Sequence, residues 1–143
     1  MDWLQRELVV SSERRGFTLI TDEVLRQIPE ISHYKVGFLH LFLKHTSCSL
    51  TINENSDPDV MMDMEDYFNR YVPEDASYYR HKVEGEDDMP AHIKSTIIGP
   101  SLLIPISNGR LSLGVWQGIF LCEHRSIPNK RRIVLTINGQ KLN

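Results

Sequence analysis

Two imidazoles stand in this chain where a regular element meets a polar turn. His45 follows an apolar stretch and precedes Thr46, Ser47 and Ser49, so a ring and several hydroxyls gather where a strand ends. A neutral imidazole at such a point can ligate a metal or move a proton near neutral pH. Asp88 and His92 lie four residues apart at the start of a helical segment, which puts a carboxylate and an imidazole on one face about one turn apart. That spacing suits two ligands of one ion, or a carboxylate that fixes the tautomer of a His; Asp88 is equally a good helix cap. Glu86 and Asp87 add negative charge, which favours a cation over a bare phosphate, and a divalent ion could bridge carboxylates to a phosphorylated ligand.

Further along, Gln117 stands between Gly114 and Gly118 in an otherwise apolar run. Glycine inside a strand marks close backbone approach, here read as approach by a ligand or another chain. Gln117 can both donate and accept, which suits a heteroaromatic ring or a phosphate oxygen. Glu123 shares its strand face by parity, but six residues at about 3.3 Å each separate the two by roughly 20 Å. One subunit brings both to a small site only if the strand bends at Gly118; otherwise Gln117 of one subunit must meet Glu123 of another. Glu54 and Asn55 fall in a loop, where functional side chains often project. His124 and Arg125 read either as an anion contact or as a solvent-exposed strand exit. His33, His40 and His81 carry no partner pattern and read as structural, and Lys130, Arg131 and Arg132 read as the solvated start of a strand.

The elements that must position these groups are mostly strands. Leu4 to Val10 and Phe17 to Ile20 are expected to pair through the Arg15-Gly16 turn. Thr21 opens a short helix that Pro29 stops, with Asp22 and Glu23 at its positive end. Val36 to Leu43 and Cys48 to Ile52 are strands. Asp57-Pro58 opens the best-defined helix, in which Val60, Met61, Met64, Tyr67, Phe68 and Tyr71 recur at helical spacing as a core stripe. Residues 73–88 form a long polar loop, Met89 to Ile98 a further short helix closed by Gly99-Pro100. Leu102 to Ile106 and Leu111 to Leu121 are strands joined by the Asn108-Gly109 hairpin signal, and Ile133 to Ile137 completes the sheet. Strands that follow one another as hairpins, with few helices, make this an α+β chain with largely antiparallel sheets.

A chain of 143 residues is one domain by length and large enough to bury a core unaided. A formal net charge of -3 disfavours broad binding to nucleic acid or to a membrane surface. Cys48 and Cys122 lie in apolar segments without metal or redox spacing and read as buried, reduced core residues. With no apolar run near the ~20 residues of a membrane span and no secretory leader at its start, the chain is expected to be cytoplasmic.

Four motifs in order, His45-Thr46-Ser47, Asn53-Glu54-Asn55, Asp87 to Lys94 and Gly109 to Glu123, resemble those of the YjbQ family, also called the secondary thiamine-phosphate synthase family. The resemblance runs from about Arg15 to Gly139, and departs where Ser126 to Lys130 stands in place of a Gly-rich turn. It implies a mostly antiparallel β-sandwich with two main helices that assembles as a homotrimer, the Gly114 to Glu123 strand forming part of the interface. It also implies joining of a hydroxymethylpyrimidine diphosphate to a thiazole phosphate, giving thiamine phosphate and pyrophosphate. On that reading His45, Asp88 and His92 hold a divalent ion, magnesium or zinc, and with Glu54 form the catalytic group. Thr46, Ser47, Asn55, Gln117, Glu123 and Arg125 bind the small phosphorylated heterocyclic substrate, with Arg125 or Arg132 meeting phosphate. The alternative is a non-catalytic trimer that binds a divalent metal or a small phosphorylated ligand at the same residues.

Overall fold

A computed structural model describes residues 1–143. Eight strands form two sheets, antiparallel in every pairing. The larger holds β1 (Asp2–Ser12), β8 (Asn129–Lys141), β3 (Tyr34–Leu43), β5 (Ser101–Ser107) and β6 (Arg110–Leu111), in that spatial order. The smaller holds β2 (Gly16–Leu19), β7 (Gln117–Glu123) and β4 (Cys48–Glu54), with β7 central. Three α-helices complete the α+β architecture: α1 (Thr21–Gln27), followed by a 3-10 turn at Pro29–His33, α2 (Pro58–Tyr71) and α3 (Asp88–Ile98).

Side-chain alternation explains the layering. Leu8 and Val10 of β1, Leu39, Leu41 and Leu43 of β3, and Ile133, Leu135 and Ile137 of β8 share one cluster with Leu50 of β4 and Ile119 and Leu121 of β7. The facing sides of the two sheets therefore make one core, as period-2 strands require. The strand β7 is buried on both faces from Gly118 to Glu123, because its other side carries Gly118, Phe120 and Cys122 under the helical layer. Close contact there is made within the chain itself: a Cβ on Gly118 would lie 2.5 Å from Leu19 Cδ1 and 2.9 Å from Asn55 Cβ. Neither a ligand nor a second chain is needed to explain that glycine. On the larger sheet, Trp3, Val36, Phe38, Phe42 and Leu103 stay exposed.

Two local expectations are corrected. The strand β1 pairs with β8 rather than with β2, which joins the other sheet beside β7. A turn between successive strands also lets the chain change sheets, and the pairing of β1 with β8, which runs from Asp2 with Gly139 to Ser12 with Asn129, leaves no local signal. The stretch from Leu111 to Leu121 is not one strand: β6 ends at Leu111 in the larger sheet, and after Gly114, whose N–H donates to Gln117 Oε1 at 2.7 Å, β7 begins in the smaller. Within the chain β7 is hydrogen-bonded along both edges, to β2 and to β4. No helix is long and apolar enough to cross a membrane, and Cys48 and Cys122 are free and buried.

Candidate functional site

The helix α2 starts as its sequence dictates: Asp57 Oδ1 accepts the Asp59 N–H at 2.9 Å and Pro58 takes the first helical position. The helix α3 starts differently. Asp87 precedes it without a side-chain cap bond, and Asp88 is the first helical residue. Its buried carboxylate is therefore free for other partners. Asp88 Oδ2 lies 2.7 Å from His81 Nε2 and 3.0 Å from His92 Nε2, while Asp88 Oδ1 accepts from Arg125 Nη1 at 2.8 Å. The four-residue spacing of Asp88 and His92 does place both on one helix face. His81 comes from the loop before α3, and is the residue whose role the sequence does not disclose.

The ligand-type atoms of His81, Asp88 and His92 lie within 4.8 Å of one another. Two imidazole nitrogens and one carboxylate oxygen are a donor set found in catalytic zinc sites, whereas magnesium prefers oxygen ligands. The surrounding hydrogen bonds orient the set. His92 Nδ1 donates to the Thr46 carbonyl at 2.7 Å, aiming Nε2 at Asp88. Arg125 is itself held by Asp87 Oδ2 at 3.0 Å and by the Glu84 carbonyl at 2.9 Å, and the Ser126 N–H donates to the same Asp87 oxygen at 2.8 Å. Such outer contacts fix ligand orientation as ordinary metal sites require. Burial alone would raise the Asp88 carboxyl, but the His81 hydrogen bond, His92 and Arg125 outweigh it and hold Asp88 below the ordinary carboxylate value. A carboxylate kept ionised is what a cation needs.

His45 lies outside this cluster. Its Nε2 accepts the Arg132 N–H at 2.8 Å, which commits that lone pair to the backbone. Burial, aided chiefly by Arg131, lowers its pKa and keeps the ring neutral. His45 therefore does not join Asp88 and His92; the imidazole that the structure brings to them is that of His81. The remaining residues divide between the two ends of the β4–β7 pair. At one end Thr46 supports His92, and Ser47 accepts from Arg131 Nη2 through its hydroxyl at 3.1 Å and its carbonyl at 3.3 Å. Glu123 and Arg125 belong to this end as well.

At the other end Gln117 lies opposite Glu54 in the strand register, whereas Glu123 lies opposite Cys48. The strand pairing is continuous through Gly118, so no bend brings Gln117 to Glu123. Asn55 Nδ2 donates to the carbonyls of Val115 and Gln117 at 3.2 and 3.1 Å, and Glu54 Oε2 accepts the Ser56 N–H at 2.8 Å. Glu54, Asn55 and Gln117 therefore do not join the His–Asp cluster within one chain.

Two groups that read as surface are interior. Arg131 is buried and clamps Glu123 with two nitrogens, Nε reaching Oε1 at 2.7 Å, while Ser12 Oγ donates to the same oxygen at 2.7 Å and the Arg125 N–H to Oε2 at 3.1 Å. Glu123 thus supports Arg125 instead of lining an open pocket. His124 is also buried, with Ser49 Oγ 2.8 Å from its Nε2. Burial, with Lys94, Arg131 and Arg15 nearby, pushes its pKa down to about 3 and leaves it neutral, which excludes an anion-binding role.

The family model described as "UPF0047 protein YjbQ-like" matches residues 6–140. The chain belongs to the YjbQ family. The UPF0047 protein YjbQ of Escherichia coli O157:H7 is 50% identical over 138 residues, covering 96% of this chain and 99% of the relative. The YjbQ protein of Salmonella typhimurium strain LT2 is 51% identical with the same coverage. Among solved structures, a YbjQ-like protein of unknown function from Sulfolobus solfataricus P2 superimposes with a TM-score of 0.83 at 26% identity, covering 97% of this chain and 99% of that one. These likenesses carry the YjbQ fold over nearly the whole chain.

Proposed function

We propose that the His81–Asp88–His92 cluster of this YjbQ-family chain holds a divalent ion of the zinc type, and that the protein uses it on a small phosphorylated heterocyclic substrate. The observation that carries this reading is the convergence of three ligand-type atoms on one point, with Asp88 oriented by Arg125 and His92 by Thr46. In tetrahedral zinc sites with bonds of about 2.0–2.1 Å, ligand atoms stand about 3.3 Å apart. The present separations of 2.7 and 3.0 Å would need to widen by about 0.6 and about 0.3 Å. A bound ion would screen the charge of a diphosphate as it departs. The chain's own part is to orient the ligands and, through Arg125, to hold the carboxylate ionised.

The reaction that the family resemblance implies is formation of thiamine phosphate from hydroxymethylpyrimidine diphosphate and thiazole phosphate. The test is product formation by chelator-treated protein before and after zinc is restored, beside His81→Ala and His92→Ala. Activity that returns with metal only in the parent supports the enzyme; activity indifferent to metal and to both substitutions overturns it. One observation favours the binding protein instead. Arg125 is fully engaged by Asp87, Asp88 and the Glu84 carbonyl, so it is not a free cation for a leaving pyrophosphate. A ligand bound at the metal without turnover would decide for that reading.

Homotrimer assembly is part of the same proposal. Exposed Val115 and Trp116 in the turn before β7, and the apolar residues on the outer face of the larger sheet, support it. Sedimentation of a stable monomer at micromolar concentration would refute it. The two reduced buried thiols fit a cytoplasmic location.

A further inference from the structure

Between α2 and the smaller sheet a cleft of about 560 Å³ runs along β2, from Glu54 and Asn55 at one end of the β4–β7 pair to Arg14, Arg15 and Gly16 at the other, and none of His81, Asp88 and His92 lines it. That is the size of ordinary small-molecule sites, which pair an apolar floor with a few polar groups. Here the floor is Phe17 of β2, Phe120 of β7 and Met61 of α2. Flat rings and a thioether make a surface suited to a planar ring.

The polar rim sorts by sign. Glu54, Asp57, Glu65 and Asp66 face two arginines, Arg14 and Arg15. Arg15 is already taken by Glu65 at 3.4 Å and Glu74 at 2.7 Å. Glu54 commits Oε2 to the Ser56 N–H and Asp57 commits Oδ1 to the Asp59 N–H, each keeping a second carboxylate oxygen, and Asn55 has used its amide nitrogen on two carbonyls. The groups with capacity left are therefore mainly acceptors, and the balance of charge is negative.

We propose that this cleft binds a small planar ligand carrying a protonated amine or amidine, its ring on Phe17, Phe120 and Met61 and its cation toward Glu54, Asp57 and Asp66. An anionic ligand would meet the carboxylates with only Arg14 to offset them. The cleft is separate from the His–Asp cluster, so this inference stands without the metal reading. It also gives Glu54 and Asn55, which the metal cluster does not use, a site of their own.

Benzamidine is the probe, with benzamide and benzoate as neutral and anionic molecules of nearly the same shape, followed by NMR of the Met61 methyl in the full chain. Benzamidine should shift that signal saturably, benzamide should bind about tenfold more weakly, and benzoate should leave it unmoved. Asp66→Asn and Glu54→Gln together should weaken benzamidine by about fivefold or more, with the melting temperature near that of the parent because Asp66 is exposed and a Gln oxygen at position 54 can still accept the Ser56 N–H. Should the double variant fail to fold, the single Asp66→Asn variant carries the same expectation with a smaller loss. His92→Ala should bind benzamidine as the parent does. No saturable shift, equal binding of benzoate, or unchanged affinity in the carboxylate variants would overturn the proposal; lost metal binding with benzamidine binding intact would leave it standing.

Discussion

Replacing Arg131 by methionine is expected to destabilise the protein by about 3–5 kcal/mol, because it leaves a carboxylate buried without its counter-charge. The Arg131 and Glu123 side chains are only 5% and 2% exposed, so water cannot take over the lost contact. Two of the partners that remain, the Ser12 hydroxyl and the Arg125 N–H, are single neutral donors and do not replace a guanidinium. Adding Glu123→Gln removes the charge and keeps an oxygen to accept the Arg125 N–H, while its amide N–H can donate to the Ser12 hydroxyl, which accepts as well as donates. The double variant should therefore recover more than half of the loss, and urea unfolding of the parent, the single and the double variant reads this directly. A loss below about 1 kcal/mol in Arg131→Met would show that the pair is not the buried unit described. Metal affinity should fall as well, since Arg131 also holds Ser47, next to the carbonyl that orients His92.

Acid should weaken the fold through His124. Its folded pKa is pushed down to about 3 from an ordinary 6.5, first by burial and then by Lys94, Arg131 and Arg15. Between those values the unfolded chain binds a proton that the native ring refuses, so stability rises with pH across the window and falls on acidification. The native ring carries no such penalty above 6.5. Below it each pH unit costs about 1.4 kcal/mol, to an upper bound of about 5 kcal/mol once the pH has fallen to about 3. Asp87 and Asp88, both held below the ordinary carboxylate value, add their own losses only as the pH falls below about 3.8. His124→Gln, which keeps a polar partner for Ser49, should flatten the fall between pH 6.5 and 4 while leaving the carboxylate step. If the variant retains the full slope of the parent, His124 is not the group responsible.

Local rules were enough for the helices and for most strands. The Asp57-Pro58 start of α2 and the Asn108-Gly109 hairpin are each encoded within a few residues, and each forms as expected; the expected core stripe of α2 does not, since only Met61 is buried and Tyr67 and Tyr71 stand 57% and 72% exposed. Sheet membership was not legible, because the partner of β1 is β8 at the other end of the chain and nothing near Leu4 to Val10 names it. The candidate site divides in the same way. Asp88 and His92 are one helical turn apart, so their meeting follows from spacing, whereas His81 reaches them from an aperiodic loop. His45 lies beside Thr46, whose carbonyl holds His92, yet its own ring turns to the backbone of Arg132. Arg131 misled for a further reason: in a run of three basic residues, strand alternation buries the middle one.

The central claim is that His81, Asp88 and His92 bind one divalent ion, and zinc titration of chelator-treated protein by calorimetry tests it most directly. The parent should take up one ion per chain, His81→Ala should lose affinity by about a hundredfold or more, and His45→Ala should match the parent. A parent that binds no zinc, or a His81→Ala variant that binds it unchanged while His45→Ala does not, would contradict the account.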